Sequence, residues 1–326
     1  MSTTLTKKTS STFEEYDAAP GLSNSGMRDL SVSPLRYWYR WVNPDRVPDE
    51  PTPEMRFGQA LHCAVLEPDI FDARYAREIS AEDIPDCLIT MDDLRTWLQS
   101  KGLSSTAKRK AELVERALAH DPNAPILDVL TERHAATHAG KTMLGSADWQ
   151  RLARAATILR DEPKLIEILD SEGSSEAALF AADPDTGIPL KARLDWVAPN
   201  CTLDIKTFAQ KRGKSIEKSV ADAILYEQYY RQAYFYTWLR ALNGEPEKDF
   251  VMAFVESEEP HETRIRVLRG KRGGNPNLFW MRAQLETREL CRAYKEHMDH
   301  FGVDRAWRYA QTIDPLADEE LPGLSF

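Results

Sequence analysis

The stretch EAALFAADPDTGIPLKARLDWVAPNCTLDIKT, residues 176–207, decides the fold. Its apolar positions alternate with period two, and its breaks, DPDTG and APN, hold Pro, Asp, Asn and Gly, so it reads as a three-strand meander. In the middle strand the pleat puts Ile188, Leu190, Leu194 and Trp196 on one face and Lys191, Arg193 and Asp195 on the other. In the third strand Asp204 and Lys206 share a face, while Leu203 and Ile205 point into the core. Two adjacent strands therefore bring Asp195, Asp204 and Lys206 to one point. Carboxylates gathered there repel one another unless a hard divalent cation holds them, and oxygen ligands suit magnesium or manganese. The lysine then has a defined role, since it can orient or deprotonate the attacking water and offset charge in a phosphoryl transition state.

An isolated D-x-K is ordinarily an incidental ion pair on an exposed sheet, so its surroundings matter. Glu176 opens the preceding strand. The segment MRFGQALHCAVLEP, residues 55–68, has helical apolar spacing, stops at Pro68, and offers His62 amid small and apolar neighbours. A long helix is predicted at about residues 217–242, with Gln228, Gln232 and Tyr236 four apart along one face. DFVMAFVESE and ETRIRVL, residues 249–258 and 262–268, read as two further strands, and a helical pattern runs over 277–311.

The chain has 326 residues, and its 52 acidic against 42 basic side chains give a net charge of −10. That balance opposes nonspecific adhesion to DNA by the whole surface but leaves room for a local basic groove. With no run of 18 apolar residues and no apolar stretch near the amino end, neither a membrane span nor a secretory signal is expected, and the expected location is cytoplasmic. Cys63, Cys87, Cys201 and Cys291 are far apart with no CxxC pair, which predicts four separate buried thiols. Residues 1–20 are polar and read as disordered, and so does the acidic tail at 313–326. Residues 90–120 form a unit of their own, two short amphipathic helices joined by GLSSTAKRK, and its stretch 101–116 holds Lys101, Lys108, Arg109, Lys110 and Arg116 against Glu112 and Glu115.

The strand-turn-strand pattern with Asp195, Asp204, Ile205 and Lys206 resembles the PD-(D/E)XK nuclease core, and Gln232-x-x-x-Tyr236 resembles the Q-x-x-x-Y helix motif of its RecB-like branch. LSNSGMRDL with SPLRYWY, the FGQALHCAVLEP helix, and KARLD followed by LDIKT are most similar to the exodeoxyribonuclease VIII (RecE-type) family. That resemblance covers roughly residues 20–300. It implies an α/β fold, a central mixed sheet flanked by helices, spanning 21–89 and 121–312. It also implies a magnesium-dependent exonuclease, with manganese accepted in place of magnesium, that digests one strand of linear duplex DNA from a 5′ end and leaves a 3′ overhang for recombination. His62, Asp195, Asp204 and the Ile205 carbonyl are the implied metal ligands, Lys206 positions the attacking water, and Glu176 matches an acidic position ahead of the core. Gln232 and Tyr236 are implied to bind or orient the strand, with Gln228 and Arg193 beside them. The 90–120 unit resembles a SAP-type helix-loop-helix, whose Lys108, Arg109 and Lys110 would contact phosphates. The implied assembly is a ring-like homo-oligomer around duplex DNA, and the implied partner a RecT-like single-strand annealing protein. The family's core aspartate often follows a proline, whereas Leu194 precedes Asp195. A RecB-like exonuclease on single strands and a catalytically silent DNA-binding adaptor are the competing expectations.

Overall fold

The computed structural model describes residues 13–309 except Pro48, Gly273 and Gly274. The chain opens with α1 (Phe13–Ala18), α2 (Asn24–Val32) and α3 (Pro34–Tyr37), then a π-helical turn at Trp38–Val42. Next come α4 (Pro53–Leu66), α5 (Pro68–Arg74), the short strand β1 (Tyr75–Arg77), α6 (Met91–Ser100), α7 (Lys110–His120), α8 (Leu127–Thr137) and β2 (Thr142–Leu144). Helices α9 (Ser146–Arg160) and α10 (Pro163–Leu169) precede the meander of β3 (Ser174–Ala182), β4 (Pro189–Val197) and β5 (Cys201–Phe208). The chain continues through α11 (Ile216–Tyr226), α12 (Tyr229–Leu242), β6 (Asp249–Glu256), β7 (Thr263–Leu268), the two-residue strands β8 (Lys271–Arg272) and β9 (Asn275–Pro276), and α13 (Leu278–Phe301).

The predicted meander and the two later strands make one five-stranded mixed sheet, ordered β3-β4-β5-β6-β7, with β5 and β6 parallel and every other pair antiparallel. Both faces are covered, which explains why FVMAFV in β6 is apolar at every position. Val251, Ala253 and Val255 join Leu203 and Ile205 against α4, α9 and α10. Phe250, Met252 and Phe254 point the other way, toward α11 and α12. Leu190, Ala192 and Leu194 pack with Phe235 and Leu239 of α12, and with α2 and α13. Residues 88–126 bury a separate small core of Leu88, Leu94, Leu98, Leu113, Ala117, Ala124 and Ile126.

The structure corrects several expectations. Residues 13–20 are not disordered: α1 is held because the buried Lys191 ammonium donates to the carbonyls of Tyr16, Asp17 and Ala19 at 2.7–3.0 Å. Residues 1–12 and the 313–326 tail lie outside the described residues. The predicted 217–242 helix is two helices, because Gln228 adopts a left-handed backbone (φ 58°) between α11 and α12. Gln228 therefore does not continue the face of Gln232 and Tyr236. The last helix ends at Phe301, before Gly302 at φ 68°, and Trp307 folds back into the core. Leu194 and Trp196 do not share a face: Leu194 packs on the α12 side and Trp196 on the α4 side. The reason is a break in the β3–β4 ladder, which pairs Ser175 with Trp196 and Ala177 with Leu194 but skips Glu176 and Asp195, with Glu176 at φ 51°. Three cysteines are buried and Cys87 is partly exposed, all four free.

Buried Arg240 clamps the carboxyl end of α12 to the β4–β5 turn. Its guanidinium donates to the carbonyls of Cys201 (2.8 Å) and Ala198 (3.0 Å), to Thr202 Oγ1 (2.9 Å) and to the Glu245 carboxylate. Removing a buried cation strands its acceptors, so Arg240→Leu is expected to destabilise the protein by about 3 kcal/mol. Urea unfolding checks this as a lower midpoint at unchanged slope; an unchanged midpoint would remove Arg240 from the clamp.

Candidate metal centre

β4 and β5 pair only through Trp196–Leu203 and Val197–Thr202, so β4 splays away from β5 beyond Asp195. The Ile205 N–H, left without a β4 carbonyl, donates instead to Asp195 Oδ2 at 2.9 Å. A side chain thus replaces a ladder bond, and the carboxylate is fixed at the mouth of the wedge. From α4, His62 Nε2 lies 2.8 Å from the Ile205 carbonyl. A carbonyl only accepts, so Nε2 carries the hydrogen, and the other ring nitrogen, Nδ1, is the atom left to act as a ligand. That Nδ1 faces Asp195 Oδ2 at 3.4 Å.

Glu176 completes the cluster. The skipped ladder pair places it opposite Asp195, and Arg193 Nε holds its Oε2 at 2.8 Å. Ligand atoms of His62, Glu176 and Asp195 lie within 4.8 Å of one another. Burial, and then the charge of Asp195, push the Glu176 carboxyl above its usual range. Two carboxylates and an imidazole lone pair turned together repel unless a proton or a cation sits among them, so these residues fit a divalent cation. The donor set of oxygen with one imidazole suits magnesium or manganese among others.

Asp204 is fully buried, with Oδ2 2.7 Å from Lys206 Nζ and Oδ1 accepting from Gln232 Nε2 at 2.8 Å. Burial raises the Asp204 carboxyl, the Lys206 ammonium opposes this, and Asp195 adds to it. Of the expected ligands, His62 and Asp195 come together. Asp204 falls outside the group of three and stands behind it, committed to Lys206 and Gln232, while the Ile205 carbonyl faces His62. Glu176, expected as a catalytic acid but not as a metal ligand, takes the third place.

Gln232 is buried, so its amide orients Asp204 rather than presenting itself to a strand. Tyr236 is packed between aromatic rings including Phe250, and burial raises its hydroxyl well above the usual range. Arg193, expected at the DNA, is ion-paired with Glu176. In the 90–120 unit Arg109 pairs with Glu112 at 2.9 Å and Lys110 with Asp128 at 2.6 Å, while Lys108 is exposed. Sequence reasoning missed Tyr229, whose ring lies 5.2 Å from the Lys206 ammonium. Only the signal YEQYYRQ hinted at it, since nothing local distinguishes which of three tyrosines meets the lysine.

No curated protein matches the chain. A crystal structure of a protein from Eubacterium rectale, described as a candidate exonuclease, aligns with a TM-score of 0.53 at 12% identity, over 98% of this chain and 100% of that one. A second solved structure, SSO0001, aligns with a TM-score of only 0.26 at 12% identity, over 72% of this chain and 85% of that one, and bears no weight. The first likeness speaks for the fold alone, a central mixed sheet between helices. A family model described as a PDDEXK-like domain of unknown function matches residues 23–272, which takes in α4, the whole sheet and the cluster. That match spans well over half of the chain, and the protein therefore belongs to the family of PDDEXK-like domains of unknown function (DUF3799).

Proposed function

We propose that the protein is a magnesium-dependent exodeoxyribonuclease that digests one strand of linear duplex DNA from a 5′ end and leaves a 3′ overhang for single-strand-annealing recombination. The observation that carries the nuclease part is the convergence of His62, Glu176 and Asp195 beside the Asp204–Lys206 pair, inside a PD-(D/E)XK-like fold. His62, Glu176 and Asp195 hold the cation, with Asp204 one step behind. When bound, a divalent cation supplies Lewis-acid stabilisation of the phosphoryl charge. Lys206, paired with Asp204 and resting on the Tyr229 ring, keeps its ammonium at the cluster, where it orients the attacking water and offsets negative charge. Gln232 and the Ile205 amide hold the two aspartates in place, so little reorganisation is left for the reaction itself.

The polarity of digestion, the ring-like homo-oligomer around duplex DNA and a RecT-like single-strand annealing partner follow from the sequence resemblance. Manganese is expected to replace magnesium. No helix among the described residues is long and apolar enough to cross a membrane.

End-labelled linear duplex, circular duplex and single-stranded DNA, each with magnesium or chelator, test the reading. Label is expected to leave the 5′ ends of linear duplex only when magnesium is present. Lys206→Ala is expected to slow this by about two to four orders of magnitude, and Asp204→Ala to abolish it with DNA binding retained. Undiminished digestion by Asp204→Ala would sink the site; preference for single strands would favour a RecB-like enzyme. Cation binding has its own check by thermal unfolding. Manganese at about 100 times its dissociation constant is expected to stabilise the wild type by about 2.7 kcal/mol, and Asp195→Asn to lose most of that. Because burial and the charge of Asp195 raise the Glu176 carboxyl, a cation must compete increasingly with its proton as pH falls, so the stabilisation is expected to weaken as pH is lowered toward the carboxylate range. A manganese effect that persists in Asp195→Asn would place the ion elsewhere.

A further inference from the structure

One buried charge is not used by the cluster. Arg231, the third residue of α12, is 2% exposed, and its Nε and Nη2 are buried with no hydrogen-bond partner among the described residues. A guanidinium does not shed its proton, and burying it without an anion is strongly unfavourable. The acid whose charge reaches it is Glu286, which already accepts from Tyr230 Oη at 2.9 and 3.1 Å and from Arg282 Nε at 2.6 Å. The other charged side chain that reaches it, Arg28 of α2, is cationic too. With Glu286 engaged by Arg282 and Arg28 paired with Glu227, the charge of Arg231 is the one left over.

An independent feature lies at the same turn. α12 opens without a cap: Gln228, in its left-handed conformation, makes no side-chain bond to the first turn, and its Oε1 is itself buried without a partner. Arg231 belongs to that same first turn, and side chains in a helix lean toward its N-terminus. Backbone N–H groups and the helix dipole favour an anion there. The turn also adjoins the reaction centre, since Tyr229, the first residue of α12, meets the Lys206 ammonium. Arg28 pairs with Glu227 at 3.3 Å on the solvent side, and both side chains are more than half exposed, so that pair exchanges readily for another anion.

We infer that Arg231, the uncapped N-terminus of α12 and Arg28 form an anion subsite that takes a phosphate of the nucleic-acid strand, next to the one hydrolysed. The planar fork of Arg231 matches two phosphate oxygens, while Arg28 releases Glu227 and closes over the outer side. The identity of the strand rests on the nuclease reading; the anion rests on Arg231 itself.

The test uses the full chain in chelator, where no turnover occurs. Thermal midpoints are read against inorganic phosphate, and fluorescence anisotropy against short duplexes with phosphorylated or hydroxyl 5′ ends. Wild type is compared with Arg231→Met, which keeps the bulk and removes the charge. Phosphate is expected to raise the wild-type midpoint saturably and to leave Arg231→Met unmoved, and the variant is expected to bind DNA about tenfold or more weakly. Loss confined to phosphorylated ends assigns the subsite to a terminal phosphate; equal loss for both ends assigns it to an internal one. Without phosphate, Arg231→Met is expected to melt no lower than wild type, because an unpaired buried charge has gone. A lower midpoint together with no phosphate effect on wild type would make Arg231 a structural partner of Glu286 and overturn the subsite. Should Arg231→Met not fold, Arg28→Gln must weaken the phosphate effect. Phosphate stabilisation lost in the variant, with no DNA bound or cut in magnesium, would keep the subsite and remove the nuclease reading.

Discussion

The bond from the Ile205 N–H to Asp195 is the constraint on which the site depends. β5 sits at the centre of the sheet, with β6 running parallel beside it through eight pairs, from Cys201–Asp249 to Phe208–Glu256. On its other side only two pairs hold β4. A buried backbone N–H must find an acceptor, and Asp195 supplies it just where the strands part. The carboxylate is thereby pinned, and the Ile205 carbonyl on the same residue turns to His62. One residue of β5 thus orients both the Asp195 carboxylate of β4 and the His62 imidazole of α4.

The wedge between β4 and β5 is stable only because the rest of the sheet is buried on both faces. α4, α9 and α10 close one side, and α2, α12 and α13 the other. The left-handed Glu176 and the flip of Trp196 away from Leu194 are local departures that this packing holds in place. Such strain persists where surrounding structure over-determines it, and it gathers at sites that bind or react. Behind the cluster, Gln232 and Lys206 each take one oxygen of the fully buried Asp204 carboxylate.

Charge on the outside is more evenly matched than the local sequence suggests. Residues 264–272 contain several cations and no acid, yet Arg264 pairs with Glu217 and Glu262, and Arg269 with Asp249. In the 88–126 unit, Arg116 turns inward to the carbonyls of Ser104 and Thr106, stapling the basic connector rather than standing free of it. Arg95 does the same for Ala107. Basic runs are therefore partly structural here, and the charge that stands out is Arg231 on α12, buried with two of its nitrogens unpartnered.

The sequence by itself determined the meander, its two turns and the later strands, because period-two alternation and turn residues act locally. It also singled out His62, Asp195, Asp204, Lys206 and Gln232, since D-x-K on a strand and a lone histidine on an apolar helix are visible without neighbours. Three-dimensional packing alone decided which of them meet. Glu176 displaced Asp204 from the inner trio because a skipped ladder pair, invisible in composition, sets it against Asp195. Gln232 became a support for Asp204 because α12 is buried over nearly its whole surface, and Gln228 left its face because one residue turned left-handed. Lys191, which looked like a third charge beside Asp195, went to the carbonyls of α1, a segment whose polar sequence promised no structure at all. In each case the deciding energy is a long-range one, a desolvated charge or an orphaned backbone group finding its partner, and no short window of sequence contains both partners.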